Sequence, residues 1–152
     1  MSPWPIAELI PHAGDMILLD AVLEHDADHV RCTHKVAADG LLHAADGRLP
    51  AWAGVELMAQ AIAAWAGCTA RAKGRPVRLG LLLGTRQYRC NVTGFPPGST
   101  LTVSARREFS DATGMGVFVC RIEAPGVLAE AKLTVFSPPD ATALFATALS
   151  HD

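Results

Sequence analysis

Charge is scarce in this sequence. Only 18% of its residues are charged, against 50% that are hydrophobic, and the formal net charge is -2. A typical soluble domain carries roughly 25% charged residues, so much of this surface is apolar and calls for a partner to cover it. No basic stretch is long enough to read as a nucleic-acid footprint. No run reaches the roughly 18 uninterrupted apolar residues of a membrane span. The opening Met1-Ser2-Pro3-Trp4-Pro5 lacks a basic region followed by an apolar one, so no secretory signal is expected. The four cysteines are far apart and show no CxxC spacing, which argues against zinc. They read as small buried hydrophobes in a reducing cytoplasm. There is no Walker motif and no glycine-rich dinucleotide fingerprint, so no cofactor is expected.

What is present is a long apolar stretch, Leu49-Pro50-Ala51-Trp52-Ala53-Gly54-Val55-Glu56-Leu57-Met58-Ala59-Gln60-Ala61-Ile62-Ala63-Ala64-Trp65-Ala66-Gly67. Proline at its entry and the break Lys73-Gly74-Arg75-Pro76 predict a helix over 52–72. Apart from Glu56 and Gln60 it is apolar on every side, the pattern of a buried helix. A carboxylate in such a place must be paired, hydrogen-bonded or neutral. That makes Glu56 a candidate general acid/base. Its bland alternative is a structural pairing with Arg48 or Arg86.

Around this helix the periodicity is that of strands. Residues 6–10 read as a short helical turn ended by Pro11. A strand is expected over 16–24, and a second over 29–36, where Val30, Cys32, His34 and Val36 share one side. His25, Asp26, Asp28 and His29 fall in the turn between them and read as a solvated hairpin rather than a metal site. After the break, strands are expected over 77–90, 100–109, 117–124 and 127–136, then a weak helix over 141–149 with Asp140 as its cap. The glycines Gly80 and Gly84 suggest a bulge. Two strands, one buried helix and about four antiparallel strands make a single α+β domain over 1–152, a sheet curled around one helix as in the hot-dog architecture.

Two motifs then carry a resemblance. Leu9-Ile10-Pro11-His12-Ala13-Gly14-Asp15-Met16-Ile17-Leu18-Leu19-Asp20 resembles the opening Leu-Pro-His…Leu-Leu-Val-Asp segment of 3-hydroxyacyl-ACP dehydratases. Val55-Glu56-Leu57-Met58-Ala59-Gln60 resembles their central helix, Glu-Ala-Met-Ala-Gln. The dehydratase-like proteins of aryl polyene gene clusters, the ApeP type, are more similar still in the Leu-Pro-x-Trp…Glu-Leu-Met-Ala-Gln stretch and in Leu79-Gly80-Leu81-Leu82-Leu83-Gly84-Thr85-Arg86.

The resemblance implies removal of water from a (3R)-3-hydroxyacyl thioester in fatty-acid or aryl polyene type synthesis. Glu56 would protonate the leaving hydroxyl, a histidine would take the C2 proton, and Gly54 and Val55 would lie near the N–H donors for the thioester carbonyl. The family's His-Phe-Pro-Gly motif is missing. Where it should stand, Gly47-Arg48-Leu49-Pro50-Ala51 puts Arg48 in the histidine position, and Arg cannot serve as a base. The alternatives are His43, thirteen residues before Glu56, His12, or no base at all. Trp52 and Gln60 are candidate substrate contacts; the competing readings are packing for Trp52 and, favoured over substrate contact, a hydrogen bond to a loop backbone for Gln60. The implied partners are an acyl carrier protein with its phosphopantetheine arm and a second hot-dog chain, identical or homologous. Arg71, Lys73, Arg75 and Arg78 read as a solvated helix end with cations at its C-terminus or, alternatively, as the docking patch for the carrier. A subunit without activity of its own and a hot-dog thioesterase are the competing readings.

Overall fold

The structure, a computed structural model, describes residues 3–10, 16–37, 44–77 and 80–137. The sheet is antiparallel throughout. Strands β1 (Ala21–His25) and β2 (His29–Lys35) form the first hairpin. After a two-residue strand β3 (Leu49–Pro50) comes helix α1 (Ala53–Ala72). Strand β4 (Leu81–Cys90) follows, then a two-residue β5 (Gly94–Phe95), β6 (Thr100–Ser110), β7 (Met115–Ala124) and β8 (Val127–Phe136). The six long strands are ordered β1-β2-β6-β7-β8-β4, and β3 pairs with β5 apart from them. Strand β4 is therefore an edge, and its burial is slight along its whole length.

Strands β6, β7 and β8 alternate. Leu101, Val103 and Ala105, then Phe118, Cys120 and Ile122, then Ala129, Ala131 and Leu133 face the helix and are buried. Across the sheet lie Leu57, Met58, Ala61 and Ala64 of α1, all without solvent exposure. Burying each such large aliphatic side chain contributes about 2 kcal/mol. Ala dominates α1, the residue that loses least on entering a helix. The helix stops at Lys73, whose N–H donates to the Ala70 carbonyl, while the N–H of Gly74, at φ +67°, donates to the Arg71 carbonyl.

Two expectations need correction. The helix is not enclosed all round. Val55, Glu56, Ala59, Ala63 and Ala66 are only half-buried and share one stripe, because the sheet of one chain wraps one side of α1. Nor does the first strand begin at Met16. Residues 16–19 lie outside the ladder, since their backbone is bonded by a helix side chain instead; the Asp20 N–H reaches the Thr33 carbonyl at 2.8 Å, and β1 begins at Ala21. The helical turn near the start is a short 3-10 turn, Ile6–Glu8. The expected helix over 141–149 falls outside the described residues.

The segment after that turn crosses α1 closely. A Cβ on Gly67 would collide with the Leu9 carbonyl oxygen and lie 2.8 Å from its carbon. Leu9 is fully buried there. Arg71 completes the crossing by donating from Nε and Nη2 to the Glu8 carbonyl at 3.3 and 3.1 Å. Arg71 remains exposed while it makes this contact. Lys73 and Arg75 are exposed, and Arg78 lies outside the described residues.

Candidate active site

The start of α1 is held from several sides. Leu49 pairs with Phe95 and Pro50 with Gly94, and the Ala51 N–H donates to the Thr93 carbonyl at 3.1 Å. The Gly54 N–H then closes onto the Ala51 carbonyl at 3.0 Å, and the Val55 N–H onto the Trp52 carbonyl at 3.3 Å. The N–H groups of Gly54 and Val55 are thus used within the opening turn. That turn also carries the positive end of the helix dipole. Trp52, immediately before α1, has 62% of its surface exposed. Arg48 is exposed and pairs with Asp46 at 3.7 Å, while its stem packs on Gly94.

Glu56 sits one turn into α1 on the half-buried stripe. Its Oε1 accepts a hydrogen bond from Gln60 Nε2 at 3.1 Å. Gln60 is fully buried and bonded on all sides. Its Nε2 also donates to the Met16 carbonyl at 2.7 Å, and its Oε1 accepts from the N–H groups of Leu18 and Leu19 at 2.9 and 3.4 Å. A carbonyl only accepts and an amide N–H only donates, so this side chain has one orientation. Gln60 thus ties residues 16–19 to the helix and presents an N–H to Glu56.

Behind it lies a histidine that sequence reasoning took for an ordinary strand residue. His34 in β2 has 8% of its surface exposed. Its Nδ1 lies 2.5 Å from the Leu18 carbonyl, so the proton sits on Nδ1. Its Nε2 is buried with no hydrogen-bond partner among the described residues. The alternation of Val30, Cys32, His34 and Val36 already put it on the inward side. The two histidines proposed as bases, His12 and His43, lie outside the described residues.

The hairpin turn accounts for its own polar residues. Asp26 Oδ1 accepts from the N–H groups of Asp28 and His29, both at 2.8 Å, closing the turn. His29 bridges Glu24 and Asp26 at 2.9 and 2.7 Å, and Asp28 pairs with Arg107 at 2.6 Å. The Arg107 guanidinium stacks over Trp65, whose Nε1 donates to the Asp26 carbonyl at 3.1 Å. Among the described residues no group of three or more His, Cys, Asp or Glu is placed to hold a metal.

A family model described as ApeP-like, ApeP dehydratase, matches residues 4–146. The chain belongs to the ApeP-like dehydratase family. A chain of the dehydratase heterocomplex ApeI:P from Xenorhabdus doucetiae is similar to it at 32% identity and TM-score 0.85, over 95% of this chain and 97% of that one. The likeness to other solved structures is one of fold. A Streptococcus mutans protein bound to acetyl-CoA matches at 17% identity and TM-score 0.61, over 84% of this chain and 94% of that one. The PaaI protein of the Escherichia coli phenylacetic acid degradation operon matches at 14% identity and TM-score 0.58, over 76% and 80%. No protein of curated function matches the chain in sequence. The family's hot-dog architecture, one helix packed against an antiparallel sheet, is the one described above. No helix among the described residues is long and apolar enough to cross a membrane.

Proposed function

We propose that this chain removes water from a (3R)-3-hydroxyacyl thioester carried by an acyl carrier protein in the cytoplasm, with Glu56 as the acid. The placement of Glu56 supports this most. It stands on the open stripe of the central helix, held by Gln60, in a member of a dehydratase family. In the reaction a base takes the C2 proton, the C3–O bond breaks, and Glu56 gives its proton to the departing hydroxyl. Water and a 2-enoyl thioester result. General acid and base catalysis each contribute roughly 10²–10⁴. His43 and His12 are the candidate bases of this chain. Trp52 and the half-buried alanines of the stripe offer an apolar wall to the acyl chain.

The site is completed, on this reading, by a second hot-dog chain. Leu81, Leu82 and Leu83 on the edge strand are all exposed, and so is one stripe of the helix. A bare apolar edge strand is a template for pairing. The similar Xenorhabdus doucetiae structure is described as a heterocomplex. That favours a homologous partner over a second copy, and it supports a further reading in which this chain completes its partner's site and catalyses nothing itself.

Mass spectrometry of a 3-hydroxyacyl carrier protein separates the two. Loss of one water with the complex, abolished by Glu56→Gln in this chain, supports the acid role. Loss of water that survives Glu56→Gln means that the catalysis belongs to the partner. Release of free acid would point to a thioesterase and overturn both.

A further inference from the structure

Tyr88 is the single tyrosine of the sequence, and its neighbours Arg86, Gln87 and Arg89 do not mark it for any role. The backbone does. In the β4–β8 ladder Arg86 pairs with Lys132 and Arg89 with Glu130. Between those pairs β8 has one residue, Ala131, and β4 has two, Gln87 and Tyr88. This is a bulge, the device by which a strand re-aims a side chain. Gln87 takes φ +57°, a left-handed conformation that non-glycine residues seldom adopt. In an unbroken strand Tyr88 would point to the same side as Arg86, away from the helix. The extra residue turns it to the side of Ala131, which is buried.

There the Tyr88 hydroxyl donates to the Ala51 carbonyl, the same oxygen that receives the Gly54 N–H. Burial pushes the phenol's pKa upward, so it keeps the proton it donates. Gly54 leaves the room for this. A Cβ on it would fall on the Tyr88 hydroxyl, with Ile122 Cδ1 and Phe95 Cζ next at 3.1 and 3.3 Å. A strained bulge, an inward tyrosine and a glycine without clearance therefore converge on the opening turn of α1, one turn before Glu56.

We infer that Tyr88 is a positioning residue for the acid of the site, its hydroxyl holding the Ala51 carbonyl and with it the turn that presents Glu56. The kinetic side of this inference rests on the acid role proposed for Glu56; its structural side does not. The test uses the chain with whatever hot-dog partner copurifies, as wild type, Tyr88→Phe, Gly54→Ala and the double variant. Hydrogen exchange at the amides of residues 54–56 is expected to quicken about 10-fold in Tyr88→Phe, since one hydrogen bond is lost while the ring still packs. Turnover should show kcat lower by about 10-fold with KM within about twofold, the mark of misplacement rather than lost binding. Gly54→Ala should lower Tm by about 5 °C alone and by much less in the Tyr88→Phe background, because the atom it strikes is gone.

Unchanged exchange, or the same Gly54→Ala cost in both backgrounds, would overturn the contact. Faster exchange with kcat unchanged would overturn the positioning role and leave a purely structural one. Full activity in Glu56→Gln removes the acid reading itself, and exchange and the double variant then decide the Tyr88 contact alone.

Discussion

Gln60 Nε2 lies 3.1 Å from Glu56 Oε1, one helical turn further along α1, and the amide has no freedom to turn away. Its other bonds, to Met16 O, Leu18 N and Leu19 N, need the orientation it has. Glu56 therefore faces a permanent donor on one oxygen. Replacing Gln60 by Met keeps the volume but strips three backbone groups of their partner. The expected cost is about 3 kcal/mol in urea unfolding, with faster exchange at the Leu18 and Leu19 amides. A cost under about 0.5 kcal/mol would mean that residues 16–19 find other partners.

The His29 bridge predicts a pH window. Hydrogen bonds to Glu24, and then to Asp26, raise the His29 pKa above its ordinary 6.5. Its stabilisation is present below 6.5 and lost as pH rises through the raised value. The His29 hydrogen bond lowers Glu24 below its ordinary 4.5, and backbone hydrogen bonds, the Asp28 N–H foremost, lower Asp26 below its ordinary 3.8. Their share is present above those values and lost as pH falls through the depressed ones. Both effects coexist from pH 4.5 to 6.5. His25 works the other way, since burial lowers its pKa and acid disfavours the fold there. The difference in stability between wild type and His29→Gln isolates the bridge. It should be greatest inside that window and shrink on either side; a flat difference would show that the ion pairs are idle.

Gly67→Ala should destabilise despite its better helix propensity. The added methyl gains about 1 kcal/mol of propensity. It also drives into the Leu9 backbone, which cannot rotate away as a side chain would. A net loss of about 2 kcal/mol is expected from overpacking, read by thermal or urea unfolding. A gain would mean that the crossing segment moves aside at no cost.

Leu83→Lys tests the edge. The residue is 55% exposed, so its loss should change the stability of the isolated chain by less than about 0.5 kcal/mol. Placing a charge on a pairing edge should weaken association at least about 10-fold in sedimentation of the coexpressed complex. Undiminished association would place the partner elsewhere, on the open stripe of α1.

The long elements were readable because their periodicity is set by burial within one chain. Residues 53–72, 29–35 and 127–136 lie within two residues of where the pattern put them. The misreading of Met16 to Leu19 has one cause: an apolar segment satisfied by a side chain looks like one satisfied by a ladder. Strands β3 and β5 are too short to have a period. The open stripe of α1 was misjudged because its alanines say that the helix is covered, not by which chain. The bulge at Gln87 had no signal, since glycine usually fills that position. Glu56 was legible as a lone carboxylate in an apolar helix. Tyr88 was not, because its inward aim is made by one extra residue in the backbone.

The sheet order also sets a schedule for synthesis. Among the described residues strand β4 has one ladder partner, β8, with Leu81 opposite Phe136. Chains emerge from the ribosome at about 5–20 residues per second. Leu81, Leu82 and Leu83 therefore wait on the order of several seconds for β8 to emerge. During that interval the same three leucines that suit a partner are open to the nascent chains of neighbouring ribosomes. Coupled expression of the partner would shorten the exposure, and expression of this chain alone would lengthen it.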